Sequence, residues 1–478
     1  MRLHDDQYYA ALSARDARFD GLFFVGVTTT GIYCRPICRV RLPGRDRCRF
    51  FGHPAAAEAA GFRPCLRCRP ELAPGDPTTG SARRVCDRAV ARIEAGALSE
   101  ASVDELAAEF EMTARQLRRV VKQAYGVTPI ELAQTRRLLL AKQLLADTSL
   151  PIADIAFASG FTSVRRFNEL FRSRYQLSPS GMRRPTNRTA PDSLRLTLGY
   201  RQPLAWSALL TFLRDRGADC VEQIHGQVYR RTVAIGGARG WITAQLAGHD
   251  GRLVVDVSDG LVPKLDQLRM RLRRLFDLDA NPRVIDAHLA LDPTFAEGVN
   301  VLPGLRVPGT LDGFDLAART VIGQQVSIAA ATTLYTRFVH AFGRSLDTPY
   351  AGLTHLTPQA EHVAGCDPGR LAAIGLPRQR ARTLHALACA VAERRLILDP
   401  EADTKTMLDR LAALPGIGPW SVQYIAMRAL GQPDAYPATD LVLRRFARDA
   451  RSSGSAAAAR PWRAYAAMQL WHHAAHGG

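Results

Sequence analysis

The most regular feature of the sequence is a helical spacing of apolar residues between positions 83 and 182. Apolar side chains recur there at intervals of three and four, first in Val103, Leu106, Ala107 and Phe110 and again in Ile152, Ile155 and Ala156. Ser102 is followed three residues later by Glu105, a pattern typical of a capping box. Residues 102–126 and 152–176 repeat one order: short helix, turn, longer helix. The pattern predicts an all-α domain built from two such copies.

A different period follows further along the chain. Apolar and polar residues alternate in 228–235 and 241–244, which predicts strands. Beyond Pro308 the helical spacing returns. The clearest predicted helical segments there are Leu316–Phe338, Leu371–Val391, Met407–Ala413 and Pro419–Leu430. This half is therefore expected to be an α/β part followed by an all-α part.

Two segments interrupt these patterns and predict the domain boundaries. Residues 73–81 are rich in Pro, Gly, Ser and Thr, and residues 183–191 combine Pro and Thr with arginine. A chain of 478 residues is also too long for a single core. We therefore expect four domains: a small α/β domain at 1–76, an all-α domain at 83–183, an α+β lobe at 192–304 and an all-α core at 305–478.

The net charge of the chain indicates which class of molecule the protein binds. Lys and Arg exceed Asp and Glu by 18, and apolar residues make up 47% of the chain, so a folded basic protein is expected. A basic surface indicates a polyanion such as nucleic acid. No signal-peptide pattern or membrane-spanning apolar run is present, so we expect a cytoplasmic protein without a membrane partner. Thiols stay reduced in the cytoplasm, and the nine cysteines therefore favour metal binding or reactivity over disulfides.

Four of these cysteines have the spacing of a zinc site. Cys34 and Cys38 are followed, after 26 residues, by Cys65 and Cys68. Four thiolates can surround Zn²⁺ tetrahedrally. A site of this kind can simply hold together a domain whose core is thin, or it can present a reactive thiolate. The spacing alone leaves both alternatives open.

The surrounding residues resemble the N-terminal domain of the Ada family over about residues 5–76. The matching motifs are Cys34-Arg35-Pro36-Ile37-Cys38, with the preceding Thr28-Thr29-Thr30-Gly31-Ile32-Tyr33, and Gly61-Phe62-Arg63-Pro64-Cys65-Leu66-Arg67-Cys68. The resemblance implies a zinc ion held by the four cysteines, and Cys34 as the acceptor of a methyl group from a DNA methylphosphotriester. Nine arginines and two acids occur from Cys34 through Arg69, which suits phosphate contact. Arg41, Arg63 and Arg67 are the best candidates.

Residues 84–183 resemble the AraC-type DNA-binding domain, which the Ada family carries at this place. The match is clearest in Asp154-Ile155-Ala156-Phe157-Ala158-Ser159-Gly160-Phe161 and in Phe167-Asn168-Glu169-Leu170-Phe171-Arg172. The resemblance implies two recognition helices that contact double-stranded DNA, and RNA polymerase as a further partner. The predicted contacts are Arg115 and Arg118 on the first recognition helix and Arg165 and Arg166 on the second.

Residues 192–478 resemble the AlkA type of DNA glycosylase. The motifs are Val321-Ile322-Gly323-Gln324-Gln325-Val326-Ser327, Leu414-Pro415-Gly416-Ile417-Gly418-Pro419-Trp420, Pro437-Ala438-Thr439-Asp440 and Arg460-Pro461-Trp462-Arg463-Ala464-Tyr465-Ala466. The resemblance implies a helix-hairpin-helix that binds DNA through Gly416 and Gly418, further DNA contacts from Gln324 and Gln325, and Asp440 as the catalytic carboxylate. Gln325 falls at the position of the side chain that wedges into the gap left by a flipped base. An Asp near a helix start can also be only an N-cap.

The same resemblance predicts the pocket and the reaction type. Trp420, Tyr424 and Trp471 match the aromatic walls that hold a flipped base, whereas Trp462 and Tyr465 are expected in the core. Relatives that also cut the backbone have a lysine where Trp420 stands, so base excision without strand cleavage is expected. No cysteine follows Cys389, which predicts that the iron–sulfur cluster of some relatives is absent.

Together these motifs predict a multi-domain α and α+β protein that senses and repairs alkylated DNA. The expected activities are methyl transfer to Cys34, transcriptional regulation, and excision of bases such as 3-methyladenine. A Pro-Cys-His-Arg active site is missing, so direct repair of O6-methylguanine is not predicted. The alternative is a DNA-binding regulator with a purely structural zinc site and a glycosylase lobe that only binds DNA.

Overall fold

A computed structural model describes residues 4–75, 85–183, 193–248, 251–448 and 455–476. The backbone divides into two compact units. The first contains the described residues up to Arg201 together with Arg252–Met270, and the second contains the remainder of the described chain. The predicted division into four domains stays a prediction, and most of both predicted linkers lies outside the described residues. Among the described helices, none combines the length and apolar composition that crossing a bilayer requires.

The N-terminal part of the first unit is a small four-stranded sheet with short helices. Its elements are α1 (Asp5–Ser13), β1 (Phe24–Val27), β2 (Ile32–Cys34), β3 (Cys48–Phe51), α2 (Pro54–Ala59) and β4 (Arg63–Pro64). The strand order is β3-β1-β2-β4, and only the β2–β4 pair is parallel. Gly26 on β1 faces the rings of Phe51 and Phe62, and a Cβ there would lie 2.9 Å from each ring. The aromatic rings therefore fill the space that a side chain on β1 would need.

The helical part of the first unit contains the predicted repeat. Its helices are α3 (Val85–Glu94), α4 (Ala97–Glu100), α5 (Val103–Ala108), α6 (Ala114–Tyr125), α7 (Pro129–Asp147), α8 (Ile152–Ala158), α9 (Val164–Tyr175) and α10 (Pro179–Met182). The Ser102 and Glu105 capping box is confirmed. Gly126 and Gln176 end the two longer helices in the left-handed conformation. Each copy thus repeats the same short helix, turn and longer helix.

Helix α7 is buried on several faces and anchors the first unit. Two of its buried residues are cations: Lys142 pairs with Glu71, and Arg136 pairs with Asp266. The unit also contains the antiparallel pair β5 (Ser193–Gly199) and β9 (Arg252–Ser258). The side-chain amide of Gln143 on α7 donates to the Thr197 carbonyl at 2.5 Å. The buried charges of Lys142 and Arg136 are tolerated because each pairs with a carboxylate.

A buried carboxylate joins the small sheet to the helical part. Glu58 is 4% exposed and accepts hydrogen bonds from the hydroxyls of Tyr33 at 3.1 Å, Thr135 at 2.8 Å and Tyr175 at 3.5 Å. Tyr33 precedes Cys34 on β2, and Tyr175 ends α9. Burial raises the pKa of Glu58 from 4.5 to about 7, although these hydroxyl groups act in the opposite direction.

This pKa predicts a pH-dependent difference between the wild-type chain and Glu58→Gln. The folded chain favours protonated Glu58, so its contribution to stability is full below pH 4.5 and is lost as pH rises through about 7. From pH 4.5 to 8, the wild-type chain should lose about 3 kcal/mol relative to Glu58→Gln. Urea unfolding monitored by hydrogen exchange in α9 measures the difference. Both chains keep the four cysteines, so the titration of the cysteines cancels in the comparison. A difference in the free energy of unfolding that stays constant with pH would contradict the prediction.

The second unit contains a three-stranded antiparallel meander and a large helical part. Its strands are β6 (Glu222–His225), β7 (Val228–Ile235) and β8 (Ala238–Leu246), which confirms the predicted strands. The helices that follow β5 are α11 (Trp206–Arg214), α12 (Leu265–Leu275), α13 (Pro282–Leu289), α14 (Pro293–Val301), α15 (Gly313–Ile322), α16 (Ile328–Phe342), α17 (Ala360–Ala364), α18 (Pro368–Ala373), α19 (Arg378–Ala392), α20 (Thr404–Ala412), α21 (Pro419–Arg428), α22 (Leu441–Arg448), α23 (Ser455–Ala458) and α24 (Arg463–His476). Among the described helices and strands, α12 alone contains residues of both units.

Two predicted helical segments are interrupted in the structure. The segment Leu316–Phe338 breaks between α15 and α16, where Ser327 caps α16 by accepting from the Ala330 amide. Gln325 lies in the break with φ +55°. The segment Leu371–Val391 breaks between α18 and α19 at Gly375, which has φ +102°. Apolar spacing continued through both breaks, but local capping and a glycine turn stop the backbone hydrogen bonding.

Candidate metal centre and base-excision site

The four predicted ligand cysteines lie together in the first unit. Their sulfur atoms are all within 4.8 Å of one another, and Cys68 alone among them is half-buried rather than buried. Cys34 ends β2, and Cys65 follows β4, so the parallel β2–β4 pair brings the two cysteine motifs side by side. Tetrahedral Zn–S bonds of about 2.3 Å need this kind of clustering.

The electrostatics of the cluster also fit a dication. Thiols packed this closely cannot all ionise together: contact with Cys38 raises the pKa of Cys34, whereas contact with Cys34 lowers the pKa of Cys65. A dication among the four sulfur atoms removes this conflict by favouring the thiolate form of each. The donor set therefore fits Zn²⁺.

Backbone amides distinguish the four sulfur atoms. The Arg35 amide donates to Cys68 Sγ at 3.4 Å, and the Arg67 amide donates to Cys65 Sγ at 3.4 Å. Contact with Cys34 lowers the pKa of Cys38, and a hydrogen bond with the Val40 backbone acts in the same direction. Within the described ranges, no backbone amide donates to Cys34 Sγ. A hydrogen bond donated to a thiolate stabilises it and lowers its nucleophilicity. Among the four sulfur atoms, the nucleophilicity of Cys34 is therefore lowered least.

The predicted DNA contacts near this cluster and on the recognition helices are accessible. Arg41 and Arg67 are exposed and Arg63 is half-buried, and none of the three pairs with a carboxylate in the part of the chain that is described. On α6 and α9 the predicted contacts are all exposed, whereas Leu117 and Phe167 are buried on the opposite faces. These contacts are Arg115, Arg118, Arg165 and Arg166. Their roles in binding DNA stay predictions.

Asp440 lies at the start of α22, and its carboxylate accepts four hydrogen bonds. Its Oδ1 accepts from the amides of Val442 at 3.0 Å and Leu443 at 3.2 Å, as an N-cap does. Two indole groups donate to the same carboxylate: Trp471 Nε1 to Oδ1 at 3.0 Å, and Trp420 Nε1 to Oδ2 at 2.9 Å. The N-cap role and the position in an aromatic site thus coexist.

The predicted base-binding aromatics form one cluster around this carboxylate. The rings of Trp420 and Tyr424 stack with centroids 4.9 Å apart and an interplanar angle of 11°. The ring of Trp471 lies 6.1 Å from that of Tyr424 at 58°. Trp462 and Tyr465 are buried in the core, as expected. The structure therefore brings Trp420, Tyr424 and Trp471 together with Asp440.

Two arginines beside the aromatics were not singled out from the sequence. Arg428 donates from Nη1 to the Tyr424 hydroxyl at 2.7 Å and is itself buried. Burial alone would raise the pKa of Tyr424, but Arg428 and Arg216 together lower it. Arg428 lies four residues after Tyr424 on α21, so the i, i+4 spacing was a signal that could have found it. Arg216 lies two residues beyond the end of α11, and no local pattern links it to this site.

The hairpin between α20 and α21 packs closely at Gly416 and is open at Gly418. Gly416 has φ +86°, and a Cβ there would lie 2.2 Å from Thr383 Oγ1. Gly418 is the N-cap of α21, and nothing lies within 4 Å of its Cβ position. Gln324 donates its side-chain amide to the Gly416 carbonyl at 3.0 Å, and Gln325 is exposed. Gln324 therefore braces the hairpin, and the open side of α21 can accept an anion.

Comparison with known families defines the class of protein. In chain order, the sequence matches the families described as metal binding domain of Ada at residues 7–71, helix-turn-helix domain at 106–185, AlkA N-terminal domain at 195–312, and HhH-GPD superfamily base excision DNA repair protein at 318–467. This is a DNA repair protein fused to a transcriptional regulator, and Zn²⁺ is its cofactor.

Similar proteins give the family. The sequence is 39% identical, over 98% of this chain and 97% of the relative, to the probable bifunctional transcriptional activator/DNA repair enzyme AlkA of Mycobacterium tuberculosis. The chain belongs to this bifunctional family. It is also 34% identical, over 58% of this chain and 96% of the relative, to DNA-3-methyladenine glycosylase 2 of Escherichia coli. The fold resembles a 3-methyladenine DNA-glycosylase from Archaeoglobus fulgidus, with a TM-score of 0.52, 19% identity, and coverage of 59% of this chain and 99% of that one.

Proposed function

We propose that the chain repairs alkylated DNA by two reactions at separate centres. Cys34 accepts a methyl group from a DNA methylphosphotriester, and the second unit excises alkylated bases such as 3-methyladenine and 7-methylguanine. The observation that carries the excision assignment is the Asp440 carboxylate held by two indole groups from the aromatic cluster. A structural N-cap needs only the backbone amides, and the indole contacts orient the carboxylate toward the aromatic rings.

Methyl transfer is a displacement at the methyl carbon. The Cys34 sulfur attacks that carbon with an electron pair, the carbon–oxygen bond breaks, and the phosphodiester leaves with its negative charge restored. A zinc ion held by the four cysteines would keep this sulfur ionised at neutral pH. The amides of Arg35 and Arg67 lower the nucleophilicity of Cys68 and Cys65 by hydrogen bonding. The reaction is therefore directed to Cys34. Methylation also removes one negative charge from the centre, which lowers repulsion from DNA phosphates and couples repair to promoter binding.

Base excision breaks the N-glycosidic bond of a flipped nucleotide. The departing base takes the bonding electron pair, and the ionised Asp440 stabilises the positive charge that develops on the sugar. Water then attacks the sugar carbon and releases one proton to the solvent, which leaves a hydroxyl group on the sugar. Trp420, Tyr424 and Trp471 pack against the flipped base, and a cationic alkylated purine gains from their electron-rich faces. Trp420 stands in place of the lysine of strand-cleaving relatives, so no Schiff base with the sugar forms there.

DNA is held by both units under this proposal. Arg41, Arg63, Arg67 and the exposed arginines of α6 and α9 contact promoter or damaged duplex, and Gly416 and Gly418 bind a phosphate at the start of α21. Gln325, exposed in the break between α15 and α16, occupies the gap left by the flipped base. Regulation proceeds through RNA polymerase in the cytoplasm.

The test uses the zinc-loaded full chain with two DNA substrates. With duplex DNA that carries methylphosphotriesters, intact mass spectrometry and peptide mapping should find one added methyl group, on Cys34. With duplex DNA that carries 3-methyladenine, free base should appear while the strand stays uncut until alkali is added. The contrary result is a protein that binds DNA and zinc, gains no methyl group and releases no base. Such a protein is a regulator with a structural zinc site, and the proposal fails.

A further inference from the structure

A buried arginine outside the Ada-type domain reaches back to the zinc-binding domain. Arg201 lies just beyond β5, within the stretch that matches the AlkA N-terminal domain, and is 4% exposed. Its Nε and Nη2 donate to the Asp20 carbonyl at 3.1 and 2.6 Å, and Nη2 also donates to the Gly75 carbonyl at 2.9 Å. One guanidinium group thus satisfies the carbonyl groups of buried Asp20 and half-buried Gly75 in the N-terminal part of the chain.

Asp20 carries this contact on to the metal centre. Its carboxylate accepts from Arg35 Nε at 2.8 Å and also from Arg35 Nη2. Arg35 in turn donates from Nη1 to the Cys68 carbonyl at 3.2 Å and from its amide to Cys68 Sγ at 3.4 Å. Arg35 directly follows Cys34 in the sequence. Three consecutive contacts therefore join Arg201 to the backbone that bears the methyl acceptor and one of its fellow ligands.

The surrounding backbone leaves little freedom for this arrangement. A Cβ at Gly21, which follows Asp20, would lie 1.9 Å from the Pro74 carbonyl oxygen, and one at Gly199 would lie 2.0 Å from the Leu72 carbonyl oxygen. The end of β5 is thus in direct contact with the chain at 72–75. Only glycine fits at these two close approaches, so the contact of Arg201 with Asp20 forms in a closely packed region.

We propose that Arg201 is a positioning residue for methyl transfer at Cys34, supplied by the glycosylase part of the chain to the zinc-binding domain. Arg201 fixes the backbone of Asp20, Asp20 fixes the Arg35 guanidinium, and Arg35 holds Cys68 and orients the Cys34 backbone. Outer partners of metal ligands orient the ligands and tune their reactivity, and their loss typically costs 10–100-fold in activity or affinity. The inference rests on the proposed methyl transfer and adds a residue that the Ada-type motifs do not contain.

The test compares Arg201→Met with the wild-type full chain in single-turnover methyl transfer. Met keeps much of the apolar volume but leaves the carbonyl groups of Asp20 and Gly75 without this donor. The maximal rate constant should fall about 10–100-fold, whereas the concentration of methylphosphotriester DNA that gives half the maximal rate should change little. Arg195→Met is the matched control, because Arg195 is on β5 and its side chain pairs with Asp256 at the surface with 40% exposure. This control should keep the wild-type rate.

Release of 3-methyladenine by the same samples separates the possible outcomes. It should remain within about twofold of wild type in Arg201→Met, because Asp440 and its aromatic partners belong to the second unit. If wild type takes up no methyl group, the proposed function fails; if Arg201→Met equals wild type, only the positioning role fails. If Arg201→Met loses its zinc, Arg201→Lys is the deciding variant. A methyl-transfer rate between those of wild type and Arg201→Met, with full zinc content, supports the positioning role. A wild-type rate, or zinc loss equal to that of Arg201→Met, overturns it.

Discussion

Asp440→Asn is expected to lower the single-turnover rate of 3-methyladenine release by at least about 10²–10³-fold, an effect of the size found when one preorganised charge-stabilising group is removed. The substitution removes the negative charge that faces the developing positive charge on the sugar. It also presents an amide N–H₂ or a single carbonyl oxygen to the indole groups of Trp420 and Trp471, so one of these donors loses its acceptor. DNA binding should persist.

The fold should tolerate this change, because asparagine is as good an N-cap as aspartate. The amides of Val442 and Leu443 can still donate to the Oδ1 atom. Asp409→Asn is the matched control, since Asp409 is an exposed acid on α20. Quenched-flow release of base from duplex DNA measures both variants. An Asp440→Asn chain that keeps more than a tenth of the wild-type rate would show that Asp440 is chiefly a helix cap.

The sequence was sufficient for the features that depend on spacing. Apolar periodicity placed the two helix-turn-helix copies and the strands β7 and β8, because one side of each element is buried. The interval between Cys34 and Cys68 predicted the metal cluster, since both motifs adjoin paired strands. Continuity of helices was harder to predict. Between α15 and α16 the apolar pattern carries on, but the Ser327 cap and the left-handed Gln325 end one helix and begin another.

The features missed were contacts between residues far apart in the sequence. Arg201 and Asp20 are 181 residues apart, and the carboxylate of Glu58 accepts from Tyr175 across 117 residues. A buried arginine and an exposed one have the same local sequence signal, so only the packed structure separates them. Arg216, which follows α11 and interacts with Tyr424, is a further contact of this long-range kind. Asp440 was predicted as either a cap or a catalytic group; the structure shows the backbone contacts of a cap and two indole contacts beside them, and the catalytic role stays a prediction.

Cys34→Ser is expected to abolish methyl uptake from methylphosphotriester DNA and leave 3-methyladenine release unchanged. A serine hydroxyl stays protonated at neutral pH and is a poor zinc ligand, so both the nucleophile and one metal bond are lost. Loss of a zinc ligand could by itself weaken the zinc-binding domain. Cys68→Ser controls for this effect because it also leaves three thiolates. Cys68→Ser should still accept a methyl group on Cys34, at a reduced rate, as peptide mapping can show.

The two serine variants distinguish a methyl acceptor from a structural zinc cluster. If the cysteines are only structural, the variants should lose zinc alike, and the wild-type chain should stay unmodified while it binds zinc and DNA. If Cys34 is the acceptor, only Cys34→Ser loses the reaction completely. Cys366→Ser, a half-buried cysteine of the second unit, should match wild type in both assays. Transfer to another cysteine in Cys34→Ser at the wild-type rate would mean that the amide contacts to Cys65 and Cys68 do not select the reacting sulfur.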